Sequence, residues 1–404
     1  MQVILKADVN KVGSAGALVN VSDGYARNFL FPRGLAVEAT PSKVAAWKEE
    51  QANKRKKEAK QLQEAEETKK GLQGKAVRIE AKAGENGKLF GSITTAQVAE
   101  ALTKKGIAFP ELGGVRPNPR IDKVREAVAR IKASPVGAIV PVGGGSVFDS
   151  AKAVAAGACY DGDPWDFFEG REVERALPIF GVLTASATSS EANGIAVVSN
   201  PEKEAKTSMN SPLLYPRVSA IDPSFQFSLP ETQTVYGGID IMAHVLERVL
   251  DGDEGVELVD EQGYALLRSM TRLIPDLLEE PEDYDARAEY AWAGSLAHNG
   301  SLSCGRAARG DFSSHKLGHS LSLLFDVPHG ASLSVMMPAW ARYLYKRYPV
   351  PFARLAEAVF DVFDGSDEER AAEGIDLLED FFRSVGAPTT LRELDVEEAD
   401  IERL

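Results

Sequence analysis

The sequence has little cysteine and no apolar segment long enough to cross a membrane. Its 404 residues include two cysteines, Cys159 and Cys304, both among apolar or small residues. So few cysteines exclude a disulfide framework and fit a reducing cytoplasm. No apolar run approaches the ~18 residues of a membrane-spanning helix, and the N-terminus MQVILKADVNKVG has no charged-then-apolar signal layout. We therefore expect a cytoplasmic protein with no membrane partner.

Basic residues are also scarce, but the deficit is confined to one part of the chain. The net charge is −14, yet residues 1–110 contain 19 Lys and Arg against 12 Asp and Glu, a balance of +7. The remaining residues carry −21. A basic segment suits a polyanion such as RNA, whereas a chance difference between two domains is the alternative. The break near residues 106–112 predicts that two kinds of protein are joined there.

The basic part begins with two predicted strands, Gln2 to Leu5 and Ala17 to Val21, and a predicted turn at Asp23-Gly24. The segment after this turn is predicted to be a loop in which arginines alternate with aromatic rings. Arginine pairs with phosphates and flat rings stack on unpaired bases. A small core built from the same rings is the alternative.

Residues 42–70 contain no Gly or Pro, and Glu and Lys recur three and four positions apart. This pattern predicts an exposed helix that ends at Gly71 and Gly74. The helix, the segment KLFGSITTAQVAEAL and a spaced signature resemble the ninth bacterial large-subunit ribosomal protein over about residues 1–107. The signature is Gly13-x2-Gly16-x4-Val21-x2-Gly24-Tyr25-x2-Asn28-Phe29-Leu30-x3-Gly34-x-Ala36-x3-Thr40.

This first resemblance implies that residues 1–52 bind large-subunit rRNA and that the second ribosomal-type domain is incomplete here. The candidate rRNA-binding residues are Tyr25, Arg27, Asn28, Phe29 and Arg33.

The acidic part opens with the pattern of a nucleotide-binding domain. An amphipathic helix over 119–133 and a buried strand from Val136 to Val142 lead into Gly143-Gly-Gly-Ser146 and a second helix. Such a turn can offer backbone N–H groups to a phosphate, although an ordinary tight turn has the same pattern. Further strands are predicted over 178–184, 194–198 and 217–221, with a hydroxyl-rich loop over 184–191.

Beyond Pro230 the pattern is helical to the end of the sequence. Asp240 and His244 are four residues apart and share one helix face. Three of the five histidines, His315, His319 and His329, follow in one segment. One Asp and three His can hold a divalent metal with a position open for substrate, whereas an isolated Asp/His pair is more often a helix-surface contact.

These motifs together resemble the iron-containing (group III) alcohol dehydrogenases, most closely the butanol-dehydrogenase-like branch, over about residues 109–404. The matching segments are GGGSVFDSAK at 143–152, DPWDFFEG at 163–170, LTASATSSE at 183–191, the Asp240/His244 pair and HKLGHSLSLLFDVPHG at 315–330. The resemblance implies hydride transfer between NAD or NADP and a primary alcohol or aldehyde, with the alcohol oxygen polarised by Fe²⁺ or Zn²⁺.

The same resemblance assigns roles to individual residues. The implied metal ligands are Asp240, His244, His315 and His329. The implied cofactor contacts are Gly144, Gly145, Ser146, Asp149, Thr184, Thr188 and Lys206. His319 is expected near the nicotinamide, where it helps to move a proton, and His298 matches no ligand position and is expected to be structural.

The expected fold is multi-domain: a small α+β N-terminal domain with a long exposed helix, then a partial α/β dinucleotide-binding domain and an all-α metal-binding domain. The predicted boundaries are 1–41, 42–74, 75–108, 109–227 and 228–404. The first strands of the nucleotide domain are expected to be missing, which predicts an impaired cofactor site beside an intact metal site.

Three functions stay open at this point. The first is a metal-dependent alcohol dehydrogenase, which allows a homodimer through this part of the chain. The second is a large-subunit ribosomal protein with a non-functional dehydrogenase passenger. The third is a fusion with no evolved joint function.

Overall fold

The chain divides into two units, Met1–Ala76 and Val77–Leu404. The computed structural model describes residues 1–6, 9, 12, 13, 16–48, 52, 56, 100, 104 and 110–403. Residues 41–48 are helical, as predicted, whereas the rest of the predicted connecting helix and the domain predicted over 75–108 lie almost wholly outside the described residues. Within the described residues, no helix is both long enough and apolar enough to cross a membrane.

The first unit contains a small antiparallel sheet. Strands β1 (Gln2–Leu5), β2 (Leu18–Asn20) and β3 (Ala36–Glu38) are ordered β2-β1-β3. The first predicted strand is confirmed, the second is shorter than predicted, and β3 was not predicted because three residues carry too little alternation to be recognised. The core of this unit includes Val3, Leu5, Ala26 and Leu30.

The predicted turn at Asp23-Gly24 and the loop after it are wrong. Asp23–Tyr25 form a helical turn that continues as a π-helix over Ala26–Leu30. The hydroxyl of Ser22 accepts a hydrogen bond from the backbone N–H of Tyr25 at 3.4 Å and caps the turn. Ala26 and Leu30 are four residues apart and both buried, so burial of one apolar face favours a helix over a loop.

The described part of the second unit includes an α/β region. Its elements are α1 (Ile121–Ala133), β4 (Val142–Gly144), α2 (Gly145–Gly157), β5 (Phe180–Ala185), β6 (Ile195–Asn200), β7 (Ala205–Asn210) and β8 (Val218–Ile221). Strands β4, β5 and β8 form a parallel sheet in the order β4-β5-β8. Only the end of the strand predicted over 136–142 is regular, although pairing already starts at an isolated bridge between Ile139 and Ile179. Pro141, which has no N–H to donate, interrupts the ladder before β4.

A hairpin of β6 and β7 packs beside this sheet. The two strands pair antiparallel from Ile195 opposite Asn210 to Asn200 opposite Ala205. Buried Ala196 and Val198 hold β6 in the core that it shares with α1 and α2. The sequence AKTSMN of β7 is polar and was not predicted as a strand; the hairpin places its Lys206 toward the interior.

Seven helices of the described chain follow, which confirms the predicted all-helical C-terminal region. They are α3 (Glu231–Val249), α4 (Glu257–Glu279), α5 (Tyr284–Ala297), α6 (Ser313–Phe325), α7 (His329–Leu344), α8 (Pro349–Phe360) and α9 (Asp367–Ser384). Helix α3 is central: every residue from Gly237 to Val249 is buried. A helix buried on all sides has no solvent face, so its polar residues must be satisfied inside the protein.

Candidate metal centre and cofactor cleft

Three helices bring one carboxylate and two imidazoles together. Asp240 lies on α3, His315 on α6 and His329 at the first position of α7, and their ligand atoms all lie within 4.8 Å of one another. Oδ1 of Asp240 is 3.5 Å from Nε2 of His315 and 3.7 Å from Nε2 of His329. Asp240 is 3% exposed. The three side chains therefore surround one small interior position.

His244, the fourth predicted ligand, lies beside this cluster. Its Nδ1 is 3.5 Å from Oδ1 of Asp240, one helical turn earlier. Its ring stacks on His298 with the centroids 4.4 Å apart and lies 4.6 Å from the ring of His315. The structure therefore gathers all four residues into one site, while the role of each as a ligand stays a prediction.

Several of the atoms that could bind a metal are buried without a hydrogen-bond partner in the described part of the chain. They include Oδ1 of Asp240, Nδ1 of His244 and Nε2 of His315. Buried polar atoms normally have hydrogen-bond partners, so it is unusual that several neighbouring ones lack a partner. An Asp/His set with converging free atoms suits Fe²⁺ or Zn²⁺, and the residues present fit a metal.

The electrostatics of the site favour a cation. Burial alone would raise the pKa of the Asp240 carboxyl, but His244 and His315 outweigh it and hold that pKa below its usual value. Burial lowers the pKa of both His244 and His329 well below the usual value. Burial also acts to lower the pKa of His315, but the Glu247 and Asp240 carboxylates raise it to about 9. A positive charge is thus stabilised between two buried carboxylates.

Glu247 is a site residue that the sequence analysis missed. It lies on α3 with Asp240 and His244, and its side chain is 3% exposed. Its Oε1 accepts hydrogen bonds from the Ser314 hydroxyl and, at 3.0 Å, from the backbone N–H of His315. Its Oε2 is in ion-pair contact with Nδ1 of His315. The spacing 240, 244, 247 on one helix face was the signal available in the sequence.

His298, expected to be structural, stacks on the ring of His244. The guanidinium of Arg248 lies with Nη2 2.6 Å from Nδ1 of His298, and it also donates to the backbone carbonyl of His244. Since arginine only donates, Nδ1 of His298 must accept. Burial and the Arg248 charge lower the pKa of His298 well below its usual value, so a neutral ring stacks on His244.

The predicted phosphate-binding turn lies where β4 ends and α2 begins. Gly144 is the residue before the helix, and no side chain caps the first turn. A Cβ on Gly145 would overlap the side chain of Thr188, so the turn and the hydroxyl-rich loop are in close contact. Gly144, Gly145, Ser146 and Thr188 therefore meet at an uncapped helix N-terminus, an arrangement that fits a pyrophosphate.

Asp149 and Lys152 form buried hydrogen bonds with the hydroxyl-rich loop and the residues that follow it. The carboxylate of Asp149 accepts from the Ser190 hydroxyl at 2.5 Å and from the backbone N–H of Val197 at 2.9 Å. The ammonium group of Lys152, 0% exposed, donates to Ser190, Asn193 and the Ile195 carbonyl at 2.7–3.0 Å. Asp149 is thus occupied within the protein, and its predicted approach to the cofactor stays a prediction. Thr184 lies on β5 and is half-buried.

Lys206 and His319, two further residues expected at the site, lie near the candidate metal ligands. Burial lowers the pKa of Lys206 to about 8, against the carboxylates of Asp240, Asp149 and Asp326. His319 is one turn beyond His315 on α6, with its ring 5.5 Å from that of His329. Burial, together with the charges of Lys206 and His315, lowers the pKa of His319 to about 3. Its position fits the proton role expected of it.

Four of the candidate rRNA-binding residues, Tyr25, Arg27, Asn28 and Phe29, lie on the helical segment of the first unit, and Arg33 lies in the turn that follows it. Tyr25 and Phe29 stack with centroids 5.1 Å apart, and the guanidinium of Arg33 lies 4.0 Å over the Phe29 ring. Arg27, Asn28 and Arg33 are exposed. The two rings are partly buried against the core, so the alternative expectation, that they help to build it, is also met.

Family models match three parts of the chain. The model for iron-containing alcohol dehydrogenase matches residues 60–223, and the C-terminal model of the Fe-containing alcohol dehydrogenase family matches residues 234–404. The model for the N-terminal domain of ribosomal protein L9 matches residues 1–47. The first match starts before the break expected near residues 106–112, and the domain boundaries drawn from the sequence stay predictions.

Individual proteins show the same likeness. The probable NADH-dependent butanol dehydrogenase 1 of Bacillus subtilis is 39% identical over 311 residues, which cover 76% of this chain and 80% of that protein. The NADPH-dependent aldehyde reductase YqhD of Escherichia coli is 32% identical, covering 76% and 80%. The crystal structure of NADH-dependent butanol dehydrogenase A from Thermotoga maritima matches with a TM-score of 0.74 and 45% identity, covering 76% and 77%.

Proposed function

Because this chain belongs to the iron-containing, NAD(P)-dependent alcohol dehydrogenase family, we propose that it transfers hydride between NAD(P) and a small primary alcohol or aldehyde. The observation that carries the proposal is the buried cluster of Asp240, His315 and His329, with His244 beside it. The NADH- and NADPH-dependent names of its relatives support either cofactor.

The metal would be held by Asp240, His244, His315 and His329, and the nicotinamide cofactor by the turn at 144–146 and the loop at 184–191. When bound, the metal polarises the substrate oxygen as a Lewis acid and the cofactor gives or takes the hydride. His319, neutral because its pKa is about 3, accepts or relays the alcohol proton at its ring nitrogen. Lys206 places a positive charge near Asp240, and Asp240 and His315 are both buried.

The test separates metal binding from turnover, because the sequence predicts an impaired cofactor site. The full chain is loaded anaerobically with Fe²⁺ or Zn²⁺, and metal per chain is measured together with NADH- and NADPH-linked reduction of short aldehydes. We expect about one metal per chain, lost in His315→Ala, and weak turnover that depends on the metal. Absence of metal, or content unchanged in His315→Ala, would sink the proposal. Robust turnover would show that the cofactor site is not impaired.

A second candidate function concerns the first unit alone: binding of large-subunit rRNA by residues 1–52. The exposed Arg27, Asn28 and Arg33 beside the Tyr25–Phe29 stack favour it. We expect the full chain to bind a large-subunit rRNA fragment more weakly as salt rises, and more weakly still with both arginines changed to alanine. Lys132→Ala, at an exposed position of α1, is the matched control. Equal binding to an unrelated RNA would contradict rRNA recognition.

A further inference from the structure

We propose that Glu247 is a positioning residue for the metal site: its carboxylate fixes the ring of His315 so that Nε2 faces Asp240. The inference rests on the proposed function, since it takes Asp240, His315 and His329 to hold the metal. It adds a residue that has no place among the four ligands.

Helix α3 sets the position of Glu247. It follows Asp240 by seven residues, two turns along the same face, and is as deeply buried as Asp240, at 3% exposure each. The Ser314 hydroxyl and the His315 backbone N–H both bond to Oε1, so this oxygen anchors the start of α6. The second oxygen, Oε2, is left to face the ring of His315.

The contact between Oε2 and Nδ1 of His315 is close, but it does not have the alignment of a regular hydrogen bond. Neither atom has another hydrogen-bond partner within the described ranges of the chain. A buried carboxylate is costly unless it is satisfied, so these two atoms are the natural partners of each other.

The chemistry of the two groups then determines the tautomer of His315. An ionised carboxylate only accepts, so Nδ1 must carry the proton that faces Glu247. When the second ring proton leaves, the lone pair of the then neutral ring lies on Nε2, the atom 3.5 Å from Oδ1 of Asp240. Metal-ligating histidines usually donate their other N–H to such a partner, and its loss typically weakens metal binding by about 10- to 100-fold.

Glu247→Gln tests this directly. Oε1 already accepts two donors, so the amide oxygen should take its place and the NH₂ group should face Nδ1 of His315. That arrangement favours the tautomer with the proton on Nε2, which blocks the metal position. In the full chain we expect Co²⁺, titrated against a competing chelator, to bind about 10- to 100-fold more weakly. In ¹⁵N-histidine NMR spectra of the metal-free proteins, recorded above pH 9 where the ring of His315 is neutral, Nδ1 should carry the proton in the parent and not in the variant.

Two further variants keep the test decisive. Asp260→Asn removes another buried carboxylate, paired with Arg306, and should lower stability while Co²⁺ affinity stays that of the parent. Glu247→Asp retains a carboxylate and should keep the proton on Nδ1 with a smaller loss of affinity. If Glu247→Gln does not fold, the same two measurements on Glu247→Asp decide the test.

The outcomes separate this inference from the proposed function. If the parent binds Co²⁺ and Glu247→Gln binds it equally well, or keeps the proton on Nδ1, the role of Glu247 is overturned and the proposed function stands. Should Glu247→Asp be the variant that decides, parental affinity together with a proton on Nε2 would overturn the role. A parent that binds no Co²⁺ overturns both.

Discussion

The ammonium group of Lys206 donates a hydrogen bond of 2.9 Å to Oδ1 of Asn118. The amide nitrogen of Asn118 in turn donates to Oδ1 of Asp326 at 3.3 Å and to the Val327 carbonyl at 3.5 Å, just before His329. Asn118 has φ of 53°, in the left-handed region that asparagine tolerates better than most residues. One side chain thus connects strand β7 of the α/β region to the loop that leads to a candidate metal ligand.

We expect Asn118→Ala to weaken cofactor binding. Without the Asn118 side chain, Lys206 and the loop at 326–328 lose their shared hydrogen-bond partner. A hydrogen bond to a charged group such as Lys206 contributes about 1.5–3 kcal/mol. The KM for NADH or NADPH should rise roughly tenfold, with a smaller change in kcat. The control is Asn210→Ala, at an exposed position of strand β7, which carries Lys206. An unchanged KM in Asn118→Ala, measured by steady-state kinetics, would contradict this role.

His319→Gln should lower turnover about 10²-fold while metal content stays unchanged, because the variant removes a proton carrier and no ligand. The pKa of His319 is about 3, below the ordinary 6.5, so its ring is neutral at neutral pH. As pH falls, the His319 ring of the unfolded chain is protonated at higher pH than that of the folded chain. The contribution of the buried neutral ring to the free energy of unfolding is therefore lost as pH falls from about 6.5 toward 3. Because the ring of His319 stays neutral near pH 6.5, the pH–rate profiles of the parent and of His319→Gln should have the same shape around that pH. Loss of metal in the variant would argue for a ligand instead.

Lys152 should make stability depend on alkaline pH. Burial lowers its pKa to about 8 from the ordinary 10.5, although Asp149 and Glu191 oppose the shift. Between these values the unfolded chain binds more protons, so the contribution of Lys152 to stability grows as pH rises from 8 to 10.5. Relative to Lys152→Met, the parent should gain on the order of 1–3 kcal/mol of unfolding free energy across that window. Urea denaturation at several pH values measures the difference.

The matched control for that titration is Lys132→Met, at an exposed position of α1. Its unfolding free energy should follow that of the parent at every pH. A pH trend in Lys152→Met identical to that of the parent would mean that Lys152 does not titrate in this window.

Gly145→Ala should abolish NAD(P)H binding without removing the metal. The added Cβ would displace the side chain of Thr188, whose hydroxyl accepts from the Ser190 N–H at 3.2 Å. Cofactor fluorescence and metal analysis on the same sample measure the two effects. Gly113→Ala, where a Cβ would meet nothing within 4 Å, should leave both unchanged. Normal NAD(P)H binding by Gly145→Ala would place the cofactor elsewhere.

The sequence was sufficient for features carried by spacing along one element. The succession of strands and helices along the chain and the position of the turn at 143–146 follow from local patterns. The meeting of Asp240 with His315 and His329 was predicted with the help of the family resemblance. Helix α3 illustrates the reason: a continuous apolar pattern buries the helix, and the polar exceptions within it must then find partners inside.

What the sequence could not show were contacts between distant residues of ordinary composition. The sequence did not single out Asn118, and it pointed to Lys206 only through the family resemblance; the two become partners because the fold brings them together. The polar strand β7 lacks the alternation by which strands are recognised. Glu247 shares a helix face with Asp240 and His244, a spacing that hinted at a role, but the position of α6 is needed to show that it faces His315.

The candidate metal ligands on α3, α6 and α7 would have a consequence for the lifetime of the protein. Asp240 and His329 are 89 positions apart in the chain, so an ion that joins them is a reversible cross-link that the unfolded chain cannot keep. Each tenfold rise of free metal above the dissociation constant adds about 1.4 kcal/mol to the free energy of unfolding. Iron supply in the cell would then set how much of this protein survives proteolysis, as well as how much of it is active.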